Sequence, residues 1–314
     1  MSSLNLRVDR IDSLTPRIRR LLLVSEDGSA LPSFAPGAHL ELHVPGERPL
    51  LRAYSLVNLS GREFYEIAVQ LEERGSGGSR WVHGLEPGQR LTAEAPRNHF
   101  PLSEVGDHAL LIAGGIGITP ILGMARALRQ AGRNFALHYA GREASRMAYL
   151  DEVRAMPEAR TWISAVPASG RMPLAAVLAE PVAGRHLYVC GPRGLITEVL
   201  DTARRIGWDE DQLHSELFAG SLEIEGETAF EAELRASGVT LQVPAGQNLL
   251  EVMIEAGLDP LFDCRRGDCG VCVTQVLEGE AEHRDICLSE RDRASGSFCT
   301  CVSRARGGRL VLDL

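Results

Sequence analysis

The sequence lacks the features that mark a membrane protein, a secreted protein or a nucleic-acid binder. No apolar stretch of the 314 residues approaches the roughly 18 that a membrane-spanning helix needs. The N-terminal segment MSSLNLRVDR lacks the apolar core of a signal peptide. A net charge of −9 argues against general binding to nucleic acid. The sequence therefore predicts a cytoplasmic protein with neither a membrane nor a nucleic-acid partner.

A disulfide pattern is also missing, although the chain contains seven cysteines. Cys264, Cys269 and Cys272 follow the spacing C-x4-C-x2-C, typical of plant-type ferredoxins, in which four thiolates hold a [2Fe–2S] cluster. A zinc site is the alternative, but zinc knuckles favour paired C-x2-C units and only one is present. Cys299 and Cys301 compete as the fourth ligand. The spacing therefore predicts a protein that carries single electrons.

The periodicity of the chain divides it into three predicted domains. Residues 1–103 contain short alternating apolar runs between turn signals, which predict an antiparallel β-barrel. Residues 104–222 alternate strand and helix patterns, which predict an α/β doubly wound parallel sheet. An acidic linker is expected over 219–228. Residues 229–314 show a hairpin, a helix and then the cysteine loop, the order of an α+β β-grasp ferredoxin.

A glycine-rich loop, GGIGITP, follows the apolar run Ala109–Ala113 and opens a helix predicted over Pro120–Ala131. This is the context of a loop that binds nucleotide phosphates through backbone N–H groups. Thr119 is expected to cap the helix and Pro120 to occupy its first turn. The spacing is not G-x-G-x-x-G, so a tight turn without a ligand stays possible. The predicted nucleotide-binding residues are Gly115, Gly117, Thr119 and Pro120.

A second loop, CGPRG, ends another predicted strand, and ligands bind in doubly wound sheets at the carboxyl ends of the strands. Cys190, followed by Gly191 and Pro192, would then face the reacting ring of a nucleotide. A buried cysteine at the end of a strand fits the pattern equally well.

Two weaker motifs lie in the predicted barrel. Arg52 and Tyr54 alternate along one strand, where a guanidinium could grip a phosphate and an aromatic ring could stack on a flat cofactor. The loop Gly75–Ser79 precedes a short helix predicted at WVHGL and could bind a phosphate there. Taken separately, they fit a surface arginine and a flexible loop.

The chemistry of the two stronger motifs links all of these predictions. A nicotinamide cofactor gives up two electrons as a hydride, whereas a [2Fe–2S] cluster accepts one. A flavin can take two and release them one at a time, so a nucleotide domain joined to a ferredoxin domain predicts a flavin. The barrel is the one domain left to hold it.

In content and order, the motifs resemble the family of phthalate dioxygenase reductases and vanillate O-demethylase reductases. The resemblance covers essentially the whole chain and rests on RAYSLVN, PRNHFPL, GGIGITP, CGPRG, the cysteine spacing and the tail CVSRARGGRLVLDL. It implies an FMN-binding barrel, an NAD-binding domain and a ferredoxin that serves Rieske-type oxygenases. It also implies that Cys301 is the fourth ligand, which leaves Cys287 and Cys299 as ordinary buried thiols.

The resemblance assigns flavin-binding roles as well. It places the flavin on Arg52, Ala53, Tyr54 and Ser55, with Ser55 near the flavin N5. The FMN phosphate loop would be Gly77, Gly78 and Ser79, and Ser76 stands where a relative has arginine. Phe218 resembles the aromatic residue beside the flavin.

The nucleotide preference rests on the segment that follows the second strand of the nucleotide domain. Glu143 stands at the position where a carboxylate binds the ribose 2′-OH and favours NADH. Arg142 and Arg146 lie nearby, and arginines accommodate NADPH. We therefore expect a monomeric reductase that passes electrons from NADH through FMN and the cluster to a Rieske-type oxygenase. A self-contained reductase for a soluble ferredoxin or another small acceptor, a non-catalytic redox sensor, and FAD in place of FMN are the alternatives.

Overall fold

The computed structural model describes residues 3–46, 50–73, 77–106, 108–167, 169–218 and 227–314. The chain divides into two compact units, Met1–Phe218 and Ala219–Leu314. None of the described helices is long and apolar enough to cross a membrane.

The first sheet of the larger unit is an antiparallel barrel in the order β4-β3-β6-β1-β2-β5. A bridge between Leu56 and Ile67 joins its two ends. Alternate residues such as Leu21 and Leu23 are buried inside it, as the period-two pattern predicts. Its elements are β1 (Ser3–Thr15), β2 (Ile18–Ser25), β3 (His39–Val44), β4 (Leu50–Ser55), β5 (Phe64–Gln70), helix α1 (Gly78–His83) and β6 (Arg90–Glu94).

The second sheet of this unit is parallel, in the order β11-β10-β7-β8-β9. β7 is central and buried along almost its whole length, as an unbroken apolar run predicts. The chain builds β8 and β9 on one side of β7, then crosses to build β10 and β11 on the other. The elements are β7 (His108–Gly114), α2 (Ile118–Gln130), β8 (Asn134–Gly141), α3 (Leu150–Arg154), β9 (Ala159–Ile163), α4 (Leu174–Val177), β10 (Arg185–Cys190), α5 (Arg193–Ile206) and β11 (Leu213–Glu216).

A charged network joins the barrel to the parallel sheet. Arg126 of α2 forms a two-bond ion pair with Glu152 at 2.8 Å and reaches Glu66 of β5 at 3.3 Å. Tyr149 donates a hydrogen bond to the other oxygen of Glu66 at 2.9 Å. Glu66 is buried, so these partners supply the compensation that a buried carboxylate requires.

The second unit contains a mixed sheet in the order β13-β12-β16-β14-β15, in which only β12 and β16 run parallel among the described strands. The predicted hairpin is β12 and β13, and Asn248 caps the predicted helix by accepting a hydrogen bond from Glu251 N at 2.9 Å. The elements are β12 (Phe230–Leu234), β13 (Val239–Val243), α6 (Leu249–Glu255), β14 (Val273–Glu282), α7 (Glu290–Ala294), β15 (Ser297–Cys299) and β16 (Arg304–Leu312).

The predicted fold classes are confirmed for all three sheets, while two helix starts were predicted wrongly. α2 begins at Ile118 because Gly115–Gly117 already form a 3-10 turn that leads into it. Thr119 therefore does not cap the helix, and its hydroxyl donates to Ile116 O at 3.0 Å. α1 begins at Gly78, before the predicted WVHGL. The domain boundaries stay predictions, and most of the predicted linker lies outside the described residues.

Candidate flavin, nucleotide and iron–sulfur sites

The predicted flavin strand is β4, at the end of the barrel sheet. Arg52, Ala53 and Tyr54 are half-buried there, and Ser55 is buried. β4 pairs with β3 in the described sheet and otherwise meets β5 only through the bridge that follows it. The strand therefore leaves part of its length open to a ligand.

Arg52 lies beside the start of α1, where the phosphate loop was predicted. A Cβ on Gly78 would lie 2.7 Å from Arg52 Cγ, so glycine is needed for the arginine to pass. Gly77 has a φ of 100°, in the left-handed region that favours glycine. Ser79 Oγ accepts a hydrogen bond from Glu72 N at 2.9 Å, which closes the loop. The guanidinium and the helix start together fit a phosphate, whereas Gly75 and Ser76 lie outside the described residues.

Ser55 presents a buried polar atom that a bound ligand could satisfy. Its Oγ is buried and has no hydrogen-bond partner among the described residues, a costly arrangement in a folded protein. Burial raises the pKa of the neighbouring Tyr54 to about 12, so that phenol stays neutral. Ser55 pairs across the sheet with His39, whose ring centre lies 5.2 Å from that of His99. A flat polar ring such as a flavin fits this surface. His99 was not selected from the sequence, although its ring contacts that of His39.

The two glycine loops of the parallel sheet pack against each other. A Cβ on Gly117 would lie 2.3 Å from the carbonyl oxygen of Cys190, and one on Gly191 would lie 2.9 Å from Gly114 Cα. Gly115 differs, since its φ is 55° and no atom lies within 4 Å of its added Cβ. Close packing of the loops therefore explains why positions 117 and 191 require glycine, while Gly115 faces open space.

A cleft of about 380 Å³ lies at the carboxyl ends of the parallel strands, as the doubly wound fold predicts. Gly115 and Pro192 line it, at the starts of the turn before α2 and of α5. Neither helix has a side-chain cap among the described residues, so backbone N–H groups at both starts are available. Such groups fit the pyrophosphate of a nicotinamide dinucleotide.

Trp162 in this cleft was missed from the sequence, although it is an aromatic residue near the end of a predicted strand. Its ring stacks on His138 at 6.0 Å and 10°, and its N–H donates to His138 Nδ1 at 3.1 Å. Burial lowers the pKa of His138 to about 4, which keeps the imidazole neutral as the acceptor. The indole is thus held in one orientation and offers a flat surface to an adenine ring.

Arg142 and Arg146 line the cleft, and Glu143 does not. The carboxylate that was expected to bind the ribose 2′-OH is therefore exposed beside the cleft, at an extended residue with φ −139° and ψ 137°.

Cys190 and Phe218 lie in or just after the strands of the parallel sheet that are across β7 from β8 and β9. Cys190 is fully buried at the end of β10, between Ala113 of β7 and Glu216 of β11. Phe218 is half-buried and packs against the core cluster that includes Cys190. Both predicted residues thus lie near the crevice at which the strand order reverses.

The cysteines of the second unit form a connected group of thiols. Cys264 lies within hydrogen-bonding reach of Cys301 and Cys269, and Cys272 within reach of Cys299 and Cys301. Cys301 lowers the pKa of Cys264, and Cys299 and then Cys301 lower that of Cys272. Burial raises the pKa of Cys269 to about 11, and the hydrogen bond with Cys264 raises that of Cys301, so two of the four sulfurs are thiolates that share their charge with neighbouring thiols. Cys301 thus connects Cys264 to Cys272, an arrangement that fits four ligands around a two-iron cluster.

Cys299 lies within reach of both Cys272 and Cys287. Its sulfur is 3.4 Å from that of Cys287, and it is fully buried whereas Cys287 is half-buried. Cys299 therefore links Cys287 to Cys272, a proximity that the sequence did not reveal.

Two family models match the chain. The model for a 2Fe-2S iron-sulfur cluster binding domain matches residues 232–306. The model for the N-terminal domain of dimethylamine monooxygenase subunit DmmA-like proteins matches residues 89–213.

Similar proteins cover almost the whole chain. A vanillate O-demethylase oxidoreductase from Pseudomonas sp. (strain HR199 / DSM 7063) is 41% identical over 94% of both chains. The beta subunit of a heme-dependent oxidative N-demethylase from Ectopseudomonas mendocina (strain ymp) is 39% identical over 99% of both. The solved structure of a phthalate dioxygenase reductase, described as transferring electrons from pyridine nucleotides to [2Fe–2S], is 33% identical, with a TM-score of 0.75 over 100% of this chain and 98% of that one.

Proposed function

The chain belongs to the family of phthalate dioxygenase and vanillate O-demethylase reductases, and we propose that its electron acceptor is a Rieske-type terminal oxygenase. It is an NADH-dependent oxidoreductase that uses FMN and a [2Fe–2S] cluster and delivers electrons to an oxygenase. The similarity to a vanillate O-demethylase oxidoreductase over nearly the full length of both chains carries the proposal, and it favours a methoxylated aromatic acid as the substrate of the oxygenase.

We propose the following division of labour along the chain. Residues 1–103 bind FMN, residues 104–222 bind NADH and residues 229–314 bind the cluster. When bound, FMN would supply the chemistry that converts the two electrons of a hydride from NADH into single electrons for the cluster. No acid or base from the protein is needed in this scheme, so the residues bind and orient the cofactors. The chain acts as a monomer in the cytoplasm.

In the flavin site, Arg52 and the backbone around Gly77 and Gly78 hold the phosphate of FMN. The otherwise unpaired hydroxyl of Ser55 would donate a hydrogen bond to a ring nitrogen of the flavin. Tyr54, a neutral phenol, would stack on the flavin ring. Together these residues would hold and orient the cofactor.

In the nucleotide site, Gly115 lets the pyrophosphate approach the N–H groups at the start of α2, and the indole of Trp162 supports the adenine. Phe218 would lie beside the flavin ring, where the nicotinamide must enter. Cys190 would help to exclude water at the nicotinamide end, since its side chain is buried in the sheet core.

The direction of electron flow fits a Rieske acceptor. Plant-type clusters have potentials of about −400 mV and Rieske centres of about −150 mV or above. One electron that passes between them over about 250 mV releases about 6 kcal/mol. Transfer to such a centre is therefore strongly downhill.

A comparison of acceptors tests the proposal. Purified holoprotein is mixed under argon with excess NADH and one acceptor at a time. The three acceptors are the Rieske oxygenase of a vanillate O-demethylase, a plant-type ferredoxin and a heme-dependent oxygenase. Reduction of each acceptor is followed by absorbance. We expect fastest reduction of the Rieske protein. Faster reduction of the ferredoxin would instead identify a self-contained reductase, and no reduction of any acceptor would contradict the reductase function.

A heme-dependent oxygenase is the second candidate acceptor, because a chain 39% identical to this one is a subunit of a heme-dependent N-demethylase. In that case the heme protein would be reduced faster than the Rieske protein in the same experiment.

The ligand set of the cluster is tested by a pair of serine variants. We expect Cys301→Ser to lose the visible absorption of the cluster while the flavin is still reduced by NADH. Cys299→Ser, two residues away in the same thiol group, is the matched control and should keep the cluster. The opposite result would assign the fourth ligand to Cys299.

A further inference from the structure

We infer that Arg142 and Arg146 form a binding site for a 2′-phosphate, so that the cleft accepts NADPH in addition to NADH. The inference rests on the proposed function, which places the nucleotide in this cleft. It concerns the adenosine end of the nucleotide, far from the hydride. Contacts there set the preference for NADH or NADPH without changing the hydride transfer.

The position of the two arginines suits the ribose of the adenosine half. Arg142 follows directly on Gly141, the last residue of β8, and β8 lies next to the central strand β7. In doubly wound sheets the ribose 2′ position is read at this strand end, by a carboxylate for NADH or by an arginine for the 2′-phosphate of NADPH. Arg146 ends the short turn Ala144–Arg146 and lines the same cleft.

The backbone holds this segment in place before any ligand binds. Gly141 O accepts a hydrogen bond from Ser164 N, and Arg142 O accepts one from Ala165 N, both at 3.0 Å. Arg146 N donates to Glu143 O at 3.0 Å, which closes the turn. The arginines therefore project from a fixed loop.

Glu143 is the residue that would repel a 2′-phosphate. It is exposed, and it is not among the residues that line the cleft. Arg142 and Arg146, which precede and follow it in the sequence, do line the cleft. The carboxylate that usually excludes NADPH is therefore not part of the cleft lining.

The charge of the cleft favours an additional anion. Its described lining contains three arginines, Arg142, Arg146 and Arg171, and one acidic residue, Glu198. Arg171 lies 3.7 Å from Glu198, so these two charges offset each other. Arg142 and Arg146 form no ion pair within the described part of the chain and are exposed to solvent. Two guanidinium groups are thus available to bind a phosphate, for which their geometry is well suited.

Calorimetric titration with nucleotide fragments tests the inference without turnover. Holoprotein is titrated with 5′-AMP and with 2′,5′-ADP, which differ only in the 2′-phosphate. We expect 2′,5′-ADP to bind about tenfold more tightly or better, from charge-assisted hydrogen bonds to one phosphate. Arg142→Gln and Arg146→Gln should each remove most of this advantage and affect 5′-AMP much less.

Two control variants sharpen the experiment. Arg154→Gln makes the same change in charge at an exposed site outside the cleft lining, so it should leave the ratio of the two affinities unchanged. Glu143→Gln should also leave the ratio unchanged, whereas an increase in 2′,5′-ADP affinity would show that Glu143 excludes the phosphate and would overturn the inference.

The possible failures are distinguishable. Equal affinities of the wild type for 5′-AMP and 2′,5′-ADP would overturn the inference and leave the nucleotide site intact. Absence of binding by either fragment would contradict the nucleotide site itself, and the inference with it. Rates of flavin reduction by NADPH and NADH provide a second readout, in which the arginine variants should lose NADPH activity selectively.

Discussion

The unpaired hydroxyl of Ser55 gives the sharpest prediction about the flavin site. Without flavin, this buried Oγ lacks a hydrogen-bond partner among the described residues, which costs about 1–3 kcal/mol. Ser55→Ala removes the hydroxyl, so the flavin-free protein should become more stable by about 1 kcal/mol. For a unit of this size that corresponds to a rise in Tm of about 2–4 °C. Most substitutions in a protein interior have the opposite sign.

The same substitution should weaken flavin binding. In the complex the hydroxyl has a partner, so alanine loses a hydrogen bond worth about 1 kcal/mol. The loss in the complex and the gain without flavin combine in the thermodynamic cycle to about 2 kcal/mol. The dissociation constant for FMN should therefore rise about thirtyfold.

Two measurements on flavin-free protein check this reasoning. Thermal unfolding followed by circular dichroism reports stability, and quenching of flavin fluorescence reports FMN affinity. Ser13→Ala changes an exposed serine of the same barrel sheet and should alter neither quantity. A lower Tm for Ser55→Ala would show that the hydroxyl is satisfied without flavin. A higher Tm with unchanged FMN affinity would show that it does not face the flavin.

Three further predictions concern the larger unit. Gly117→Ala places a Cβ 2.3 Å from a backbone carbonyl, so it should slow flavin reduction by NADH at least about tenfold in stopped-flow measurements, whereas Gly194→Ala meets no atom within 4 Å and should not. Arg126→Met leaves a buried carboxylate without its positive partner and should cost about 3–5 kcal/mol in urea unfolding, and a much smaller loss would mean that the network is solvated. Burial lowers the pKa of His138 and His214 to about 4, so between about pH 6.5 and 4 the unfolded chain binds protons that the folded chain does not. The Tm should therefore fall as the pH drops through this range. It should fall less in a variant that lacks both imidazoles.

Most of the fold followed from periodicity. The barrel strands alternate buried and exposed residues, and the central strand β7 is an unbroken apolar run, so each pattern corresponds to one local geometry. The start of α2 did not follow, because a threonine before a proline predicts a cap equally well whether or not a 3-10 turn precedes it. The position of a helix cap depends on where the preceding turn closes, which the sequence motif does not determine.

The candidate sites were predictable only where function fixes the spacing. The cysteine loop is one such case, because three ligands to one cluster must be close in sequence. Glu143 is the opposite case: its place in the sequence is the expected one, but Arg142 lines the cleft and Glu143 does not. Trp162 carries no motif, since one aromatic residue at a strand end is equally compatible with a core position. Alternation of side chains and stacking partners are properties of the folded chain.

The glycine loops show that a motif can contain glycine for more than one reason. Gly117 was attributed to the approach of a phosphate and Gly191 to the site of the reacting ring, yet a side chain on either would collide with the opposite loop. These glycines let the ends of β7 and β10 meet at the point where the strand order reverses. The width of the crevice and the position of Cys190 are therefore set by the same contact. Gly115, with its positive φ and open surroundings, still fits the predicted role of admitting a phosphate. A bulkier residue at 117 should accordingly disturb the nicotinamide end of the site more than the phosphate end, because the displaced atoms belong to Cys190.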